Sequence, residues 1–314
     1  MSAPGGPGMD VVVVGSVNRD YVCRVEALPA PGETVLGGEA SVGSGGKGGN
    51  QAVAASLLGA CTALVARTGD DHDGRALLAD LAAAGVDTGE VVALPDLRTG
   101  MAFVMVDAAG ENSIVVAPGA NERLEPGLTA HAVHRLLGPS GVMATQAEIP
   151  GPALEAAVLA ATSVGARAVV NLAPFRPVST GVLALCDPLV VNESEVSGLL
   201  GREVRGTEGA RAAVAELRGR VRSVVVTVGA AGAVVGRGEE VHHVPAEAAE
   251  PVDTTGAGDA FTGALAAALS AGHELVAAVR IGVRAGTYAV GRPGAQASFP
   301  SASALGLGPL HKRG

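Results

Sequence analysis

The sequence predicts an α/β fold in which a mostly parallel sheet is doubly wound, with helices on both faces, and carries a small β-sheet lid. Short apolar, β-rich runs alternate along the chain with Ala- and Leu-rich segments of helical length, a pattern typical of such sheets. The first run is four consecutive valines after Asp10, as expected for a strand that is buried on both faces. Apolar residues make up 48% of the chain and charged residues 17%, so a large core is expected.

Each element follows from this alternation. Further strands are expected at residues 62–66, 142–146, 168–171, 188–191 and 223–228. Helices are expected between them, at residues 50–59, 74–84, 152–164, 207–217 and 257–271. Sheets of this kind bind ligands beyond the carboxyl ends of their strands, so functional residues should lie just after the strands.

Two segments do not fit the alternation and are interpreted as the lid. Residues 22–41 contain Pro29, Pro31 and several glycines without a helical period. Residues 98–117 predict a hairpin, with strands at 99–107 and 112–117 around a turn at 108–110. The hairpin is apolar on both faces, so one face should cover a ligand and the other a partner chain. The alternative is an ordinary extension of the main sheet.

The expected organisation is a disordered tail (1–9), a single domain (10–304) with the lid at about 15–41 and 98–117, and a C-terminal tail (305–314). The net charge of −9 argues against nucleic acid or an anionic membrane as a partner. The three cysteines match no metal-ligand spacing and are expected to be buried thiols in a reducing compartment. No basic region followed by an apolar run opens the chain, so a cytoplasmic protein is expected.

The sharpest motif is Asp-Thr-Thr-Gly-Ala-Gly-Asp-Ala-Phe-Thr-Gly at residues 253–263, at the start of a predicted helix. A Gly-rich turn that opens a helix exposes backbone N–H groups, and the helix dipole adds positive character, so phosphate binds well there. Beside such a turn, Asp259 could act as the base that takes the proton of an attacking hydroxyl. The alternative is that Asp259 is only a helix N-cap.

A second Gly-rich segment, Gly-Ser-Gly-Gly-Lys-Gly-Gly-Asn-Gln at residues 43–51, is expected to lead into a helix at residues 52–58. It is not a phosphate-binding Walker A loop, because Gly48 rather than Ser or Thr follows Lys47. Glycines around a lysine and an asparagine still suggest close approach by a polar ligand. Further along, Asn192-x-x-Glu195 has the spacing of a helix capping box, and spacing alone leaves open whether it does more.

Together these motifs resemble the ribokinase family, the PfkB-type carbohydrate kinases. Residues 253–259 resemble its C-terminal signature and residues 45–51 its N-terminal signature. Asn192–Glu195 resembles its Asn-x-x-Glu motif, and residues 15–20 (Gly-Ser-Val-Asn-Arg-Asp) resemble the opening strand and turn. The matches occur in the family's order over about residues 10 to 300, and the family fold agrees with the one predicted above.

The resemblance implies roles for named residues. Asp259 would be the catalytic base, and Gly256, Ala257 and Gly258 would form the anion hole for the transferred phosphoryl group. The implied sugar-binding residues are Asn18, Asp20, Gly46, Lys47, Asn50, Glu148 and Ile114, the last closing over the sugar from the hairpin. The implied ATP-binding residues are Asn192, Thr227, Gly229, Gly232 and Gly258.

The resemblance also implies two metal ions besides ATP. Glu195 would order Mg²⁺ through water. The positions that match the family's K⁺ site, mostly through backbone carbonyls, are Asp253, Thr255, Ala289, Arg292, Gly294 and Ser298. A cation behind the turn at residues 256–258 would fix the orientation of its N–H groups.

The expected activity is therefore ATP-dependent phosphorylation of D-ribose at its 5-hydroxyl. The same chemistry on another furanose, a hexose or a nucleoside remains open, as does a sugar or nucleotide sensor without catalysis. The polar set favours a small polyhydroxylated sugar, since little in the chain would hold a nucleobase; Phe103 is the one candidate. The doubly apolar hairpin predicts a homodimer formed through the lids.

Overall fold

The computed structural model describes residues 8–108 and 112–311 of the chain. The strands are β1 (Val11–Val14), β2 (Asn18–Arg24), β3 (Ala40–Gly45), β4 (Thr62–Gly69), β5 (Asp87–Leu94), β6 (Gly100–Val106), β7 (Asn112–Ala117), β8 (Val142–Gln146), β9 (Arg167–Asn171), β10 (Leu189–Asn192), β11 (Ser223–Thr227), β12 (Ala233–Arg237) and β13 (Glu240–Val244). The helices are α1 (Lys47–Leu57), α2 (His72–Ala83), α3 (Pro126–Leu136), α4 (Gly151–Ser163), α5 (Thr180–Leu183), α6 (Glu193–Leu200), α7 (Gly206–Leu217), α8 (Ala257–Ser270) and α9 (Leu275–Val290).

A nine-stranded sheet in the order β13-β12-β11-β10-β9-β8-β1-β4-β5 forms the centre of the fold. Strand β1 pairs in parallel with β4 on one side and β8 on the other, while β12 is antiparallel to both of its neighbours. The valines of β1 are fully buried because both faces are covered: Val11 and Val13 pack into one core layer, Val12 and Val14 into the other. The predicted doubly wound fold is confirmed.

The chain fills the sheet outward from β1 in two directions. It first adds β4 and β5 on one side and later adds β8 to β11 on the other, so the winding reverses between β1 and β8. In such sheets a crevice opens beyond the carboxyl ends of the strands at the reversal point. The segments after β1 and β8 therefore supply the walls of one crevice, and Asn18 and Glu148 lie in those segments.

The lid is a separate four-stranded sheet in the order β3-β2-β6-β7. Strands β6 and β7 form the predicted hairpin; of its expected turn only Ala108 lies within the described residues. The lid includes Ala40–Gly45 and so extends beyond the expected limit at residue 41. Its register places Asp20, Ala102 and Val116 side by side on one face, with Tyr21, Phe103 and Val115 on the other.

Both faces of the lid carry apolar side chains that the other described residues leave exposed. Phe103 is 47% exposed and Val115 61% exposed on the outer face, and Ile114 is 51% exposed on the inner face. Tyr21 stacks on Phe103 with ring centroids 5.8 Å apart, and its hydroxyl donates to Asp73 of α2 at 2.8 Å. Contacts of β2 with α2 thus attach the lid to the body and leave its outer part uncovered.

Helices α1 and α8 lie against each other at very short range. A Cβ atom added to Gly263 of α8 would lie 2.5 Å from the carbonyl oxygen of Gln51 and 2.6 Å from Cβ of Ala54, so only glycine fits there. The contact joins the two helices that begin with the Gly-rich motifs. No helix in the described part of the chain is long and apolar enough to cross a lipid bilayer.

The sequence did not predict every element. Helix α1 begins at Lys47, whereas it was expected to begin only at residue 50 or 52. Four elements were not predicted, namely strands β5, β12 and β13 and helix α9. Strands β12 and β13 are short, β5 is half polar, and α9 follows closely on the alanine-rich stretch of α8. Leu305 and Leu310, in the expected C-terminal tail, are buried in the core, and at the other end the amide of Met9 donates to the Leu136 carbonyl at 3.1 Å. The remaining tail residues, 1–7 and 312–314, lie outside the described residues.

Candidate active site

Asp259 lies in the first turn of α8, behind a glycine turn. Gly256 is the N-cap residue, with φ at 76° in the left-handed region that glycine adopts readily. The alternative that Asp259 is the N-cap is therefore wrong. The Ala257 amide donates to the Thr254 carbonyl at 3.2 Å, but the amides of Gly258 and Asp259 have no partner in the described part of the chain. Two free N–H groups at the positive end of a helix suit an anion.

The carboxylate of Asp259 is buried and is held by two amides of α1. Asn50 donates from Nδ2 to Oδ2 at 2.9 Å, and Gln51 donates from Nε2 to Oδ1 at 3.0 Å. The other end of the Asn50 amide accepts from Nε2 of Gln296 at 3.0 Å. Both oxygens are thus oriented by side chains from a different helix.

The glycines at the start of α1 are explained by chain packing. Gly46 has φ at 80°, and a Cβ on it would lie 2.6 Å from Cα of Val17. A Cβ on Gly48 would lie 2.6 Å from the carbonyl carbon of Gly15. These glycines were expected to let a ligand approach. At Gly48 the space is instead filled by the turn after β1. That contact brings Lys47 and Asn50 to the crevice.

Lys47 is surrounded by carboxylates. Its backbone amide donates to Oε2 of Glu148 at 3.1 Å, and the hydroxyl of Ser16 donates to the same oxygen at 2.6 Å. Asp259 above all raises the pKa of the Lys47 ammonium; burial opposes this, and Glu148 and Glu195 add to the increase. Lys47 therefore stays protonated in the middle of this acidic cluster.

Asp20 reaches the crevice from the lid. Burial, followed by the charges of Glu148 and Asp259, raises its pKa to about 7, while Arg19 works in the opposite direction. Its Oδ1 atom is buried and accepts no hydrogen bond from the described residues. A Cβ at Gly45 would collide with this carboxylate, so the glycine leaves room for it. A buried acceptor without a donor suits a ligand hydroxyl.

Two further residues of the predicted sugar set lie on the lid. Oδ1 of Asn18 accepts from Nδ2 of Asn121 at 2.8 Å, and Asn121 also binds the backbone of Val17. Ile114 lies on the same face of the lid as Asp20, as the strand register requires, and remains half exposed. The lid face therefore offers both polar and apolar contacts to a ligand in the crevice.

The predicted nucleotide residues follow two neighbouring strands. Asn192 and Thr227 are register partners at the carboxyl ends of β10 and β11. Gly229 and Gly232 form the next turn with φ values of 53° and 92°, and a Cβ at Gly232 would collide with the Val244 carbonyl oxygen. These residues line the same edge of the sheet as Asp259.

The capping box at α6 is formed, and it also faces the acidic cluster. The Asn192 amide donates to Oε2 of Glu195 at 2.8 Å, and the Glu195 amide donates to Oδ1 of Asn192 at 2.9 Å. Burial raises the pKa of Glu195; the Asn192 amide and Lys47 oppose this, and Asp259 adds to it. Glu195 thus caps a helix and interacts with Lys47 and Asp259. A half-buried carboxylate here has the ligand chemistry that Mg²⁺ prefers.

The predicted K⁺ residues converge only in part. Asp253 joins two segments: its Oδ1 accepts from the Thr255 amide and its Oδ2 from the Gly294 amide, both at 2.9 Å. Burial acts to raise the pKa of Asp253, but these bonds, with Arg24, bring it below its usual value. The loop that contains Gly294 packs behind the glycine turn, with Cα of Ala295 3.1 Å from where a Cβ of Gly256 would lie.

The remaining members of this set are engaged elsewhere or offer only backbone. The Arg292 guanidinium lies 3.5 Å from the centre of the Tyr288 ring, so its side chain does not join the group. The Ala289 carbonyl accepts from the Arg292 amide at 3.0 Å, and the Ser298 hydroxyl donates to the Ala295 carbonyl at 2.7 Å. A carboxylate and carbonyl oxygens are still the donors that suit K⁺.

Several site residues were not predicted. Ser16, Asn121 and Gln296 position Glu148, Asn18 and Asn50 respectively. Gln146 and Asn171, paired at the carboxyl ends of β8 and β9, join Gln51 in a buried amide cluster. Gln146 and Asn171 could have been found from the sequence, because each is the last residue of a predicted strand. Asn121 and Gln296 gave no such signal, because each lies in a short 3-10 helix far along the chain from its partner.

Comparison with known proteins agrees with this geometry. The family described as "pfkB family carbohydrate kinase" matches residues 9–302. The chain is 35% identical to a ribokinase of Haemophilus influenzae over 93% of its own length and 95% of the relative. It is 33% identical to a deoxyribokinase of Salmonella typhi over 93% and 96% of the two chains.

Solved structures give the same result. The structure of Arabidopsis thaliana ribokinase complexed with ribose and ATP superimposes with a TM-score of 0.86 at 31% identity, covering 95% of this chain and 98% of that one. Fold, motif order and the match over nearly the whole chain agree. The chain therefore belongs to the pfkB family of carbohydrate kinases and is a sugar kinase.

Proposed function

We propose that this sugar kinase transfers the γ-phosphoryl group of ATP to the 5-hydroxyl of D-ribose, giving ribose 5-phosphate and ADP. The observation that carries the proposal is Asp259, a carboxylate fixed by two side-chain amides next to N–H groups of α8 that bond to no described residue. The similarity to a ribokinase sequence and to a ribose- and ATP-bound ribokinase structure supports ribose as the acceptor.

In this reaction the 5-hydroxyl oxygen forms a bond to the γ-phosphorus while the bond from that phosphorus to the β,γ-bridging oxygen breaks. ADP leaves with the electron pair, and Asp259 takes the hydroxyl proton. The N–H groups of Gly258 and Asp259 would stabilise the charge on the transferring group. The role was expected of residues 256–258, but the Ala257 amide is bonded to the Thr254 carbonyl, so we assign it to Gly258 and Asp259. Lys47 would add a positive charge close to Asp259.

The sugar would lie between the lid and the start of α1. Carboxylates accept hydrogen bonds from vicinal hydroxyls, and Oδ1 of Asp20 has an open acceptor position. Glu148 would accept in the same way, with Ile114 over the sugar. The remaining donors and backbone contacts proposed for the sugar come from Asn18, Gly46, Lys47 and Asn50.

ATP would lie along the carboxyl ends of β10 and β11, beside Asn192, Thr227, Gly229, Gly232 and Gly258. Glu195 would hold Mg²⁺ through water, and the bound ion would neutralise charge on the phosphates. The arrangement of Glu195 close to Lys47 and Asp259 supports this placement.

A second acceptor, 2-deoxyribose, is favoured by one observation, the similarity to a deoxyribokinase. Both sugars carry the same 5-hydroxyl, so the base and the anion hole would serve either of them. A sensor without catalysis is disfavoured, because the carboxylate and the free N–H groups are both in place.

ADP release measured across ribose, 2-deoxyribose, other furanoses, hexoses and nucleosides tests the function, with the phosphorylated position determined by NMR. We expect ribose to have the highest kcat/KM and the product to be the 5-phosphate. Asp259→Asn should lower kcat by about 10²–10⁴-fold, the usual contribution of general base catalysis, with ATP binding retained in calorimetry. No sugar-dependent ADP release by the wild type, or near-normal kcat in the variant, would refute the assignment.

Sugar affinity should depend on pH through Asp20. Its pKa of about 7 in the free protein means that lowering the pH protonates it, and a protonated carboxyl loses acceptor capacity. The Kd for ribose, measured by calorimetry, should rise about tenfold per pH unit below this pKa and level off above it. Asp20→Asn should bind more weakly and flatten the profile. Asp70→Asn, which changes an exposed carboxylate on the body, should leave it intact; a flat wild-type profile from pH 6 to 8 contradicts the prediction.

We also propose a K⁺ ion behind the glycine turn, held by Asp253 and by carbonyls of the segment around Gly294. The Asp253 carboxylate accepts hydrogen bonds from the Thr255 and Gly294 amides, and so it holds these two segments together. At fixed ionic strength, KCl should support a higher kcat than NaCl, and Asp253→Ala should reduce that difference. Equal rates in the two salts would show that the ion assignment is wrong.

The exposed apolar lid supports a homodimer in which two lids cover each other. Contiguous apolar patches that a chain leaves exposed mark interaction sites. The outer face contributes Val42, Phe103 and Val115, next to the stacked Tyr21 ring. A second copy of the same lid could bury these side chains in a symmetric contact, as expected for dimers.

Sedimentation at micromolar concentration should therefore show a dimer. Val115→Lys with Phe103→Ser should shift the protein to monomer. The double variant removes an aromatic contact and places two lysines, one from each protomer, in the paired face. Leu159→Lys, at an equally exposed leucine on α4, is the matched control and should leave the mass unchanged. A wild type that sediments only as monomer would argue against the lid dimer.

A further inference from the structure

Gln51 is a fully buried polar side chain that touches the proposed reaction centre from behind. It is 0% exposed, whereas its neighbour Asn50, one of the residues proposed to bind sugar, is 6% exposed. Its Nε2 donates both to Oδ1 of Asp259 and to Oδ1 of Asn171, each at 3.0 Å. Its Oε1 accepts from Nε2 of Gln146 at 2.7 Å.

This pattern fixes the orientation of the Gln51 amide. Turned over, its Oε1 would face the Asp259 carboxylate, which only accepts hydrogen bonds when ionised. Gln146 and Asn171 are themselves set by the sheet, since they are register partners at the ends of β8 and β9, and Asn171 donates to the Val190 carbonyl at 3.3 Å. A continuous path of hydrogen bonds thus runs from the sheet to one oxygen of Asp259.

The two oxygens of Asp259 therefore have different surroundings. Oδ1 is bonded to a side chain that is shielded from any ligand, while Oδ2 is bonded to Asn50, which a bound sugar can engage. A hydroxyl that enters the crevice can replace the Asn50 contact at Oδ2, but it cannot reach Gln51.

We propose that Gln51 is a positioning residue that anchors Oδ1 of Asp259, so that Oδ2 is the atom that takes the proton of the acceptor hydroxyl. The proposal rests on the proposed function of Asp259 as the base. The bond changes are those given above: the proton moves from the hydroxyl to Oδ2 as the oxygen–phosphorus bond forms and the bond to ADP breaks. Gln51 itself gains and loses nothing, and it acts only through its hydrogen bond.

Two variants test the proposal by different readouts. Gln51→Leu keeps the volume but removes the donor, so kcat should fall by about a hundredfold with the KM values for ribose and ATP unchanged, since Gln51 touches neither. Gln51→Glu keeps the shape and the acceptor for Gln146. When protonated, the introduced carboxyl group has one O–H, which can donate to Asp259 but not also to Asn171 as the amide does. When both groups ionise, the two carboxylates repel each other.

Gln51→Glu should therefore approach wild-type kcat at low pH and lose activity as the pH rises, on a limb that wild type lacks. The groups that face this pair are Lys47, Asp20, Glu148 and Glu195, and all are the same in both proteins. A purely structural role would leave the shape of the pH profile unchanged. Thr145→Val, in the same strand as Gln146 but without a bond to this path, is the matched control and should keep wild-type kcat.

The proposal is wrong if Gln51→Leu, shown by circular dichroism to be folded, keeps a kcat within about threefold of wild type. If Gln51→Leu does not fold, the profile of Gln51→Glu decides alone: a profile parallel to wild type refutes the proposal. Asp259→Asn is assayed alongside. If that variant keeps its activity, the proposed function fails, whereas loss in Asp259→Asn without any effect at Gln51 refutes the positioning role alone.

Discussion

The contact of two amides on α1 with one carboxylate on α8 is the interaction on which the site depends. An ionised carboxylate that is buried without partners costs several kcal/mol, so Asp259 can lie at this place only because Asn50 and Gln51 donate to it and Lys47 is close. These hydrogen bonds also require close packing in the core, because α1 and α8 approach each other as closely as they do only with glycine at position 263. Stability and chemistry therefore rest on the same pair of helices.

Negative charge predominates in the crevice. Among the described residues, four carboxylates, those of Asp20, Glu148, Glu195 and Asp259, act on or around the ammonium of Lys47, and the Arg19 guanidinium acts on Asp20. The pKa values of Asp20 and Glu195 are raised, because burial and neighbouring negative charges disfavour their ionisation. Sugar hydroxyls would donate to these oxygens and a metal ion would supply positive charge, so the arrangement suits the binding of both.

Much of this site could be predicted from the sequence, because its members follow strands or open helices. The position of Asp259 in a glycine turn before an apolar helix indicated both the N–H groups and the base, and Asn192-x-x-Glu195 indicated a cap that is indeed formed. What escaped prediction depends on pairing between distant segments. The bond from Gln296 to Asn50 and that from Asn121 to Asn18 have no local signature. Glycines posed the opposite problem: Gly48 suggested a ligand but serves the packing of α1 on Gly15.

The close packing at Gly263 also bears on how such a site could change over evolution. Backbone of α1 touches α8 at this residue, so the helices that carry Lys47 and Asp259 cannot move apart to admit a bulkier molecule without opening the core. The lid has no such restraint, because it is a sheet of its own with half-exposed side chains such as Ile114. Divergence toward larger acceptors is therefore expected to accumulate in the lid strands, while the spacing of the two helices stays the same across descendants.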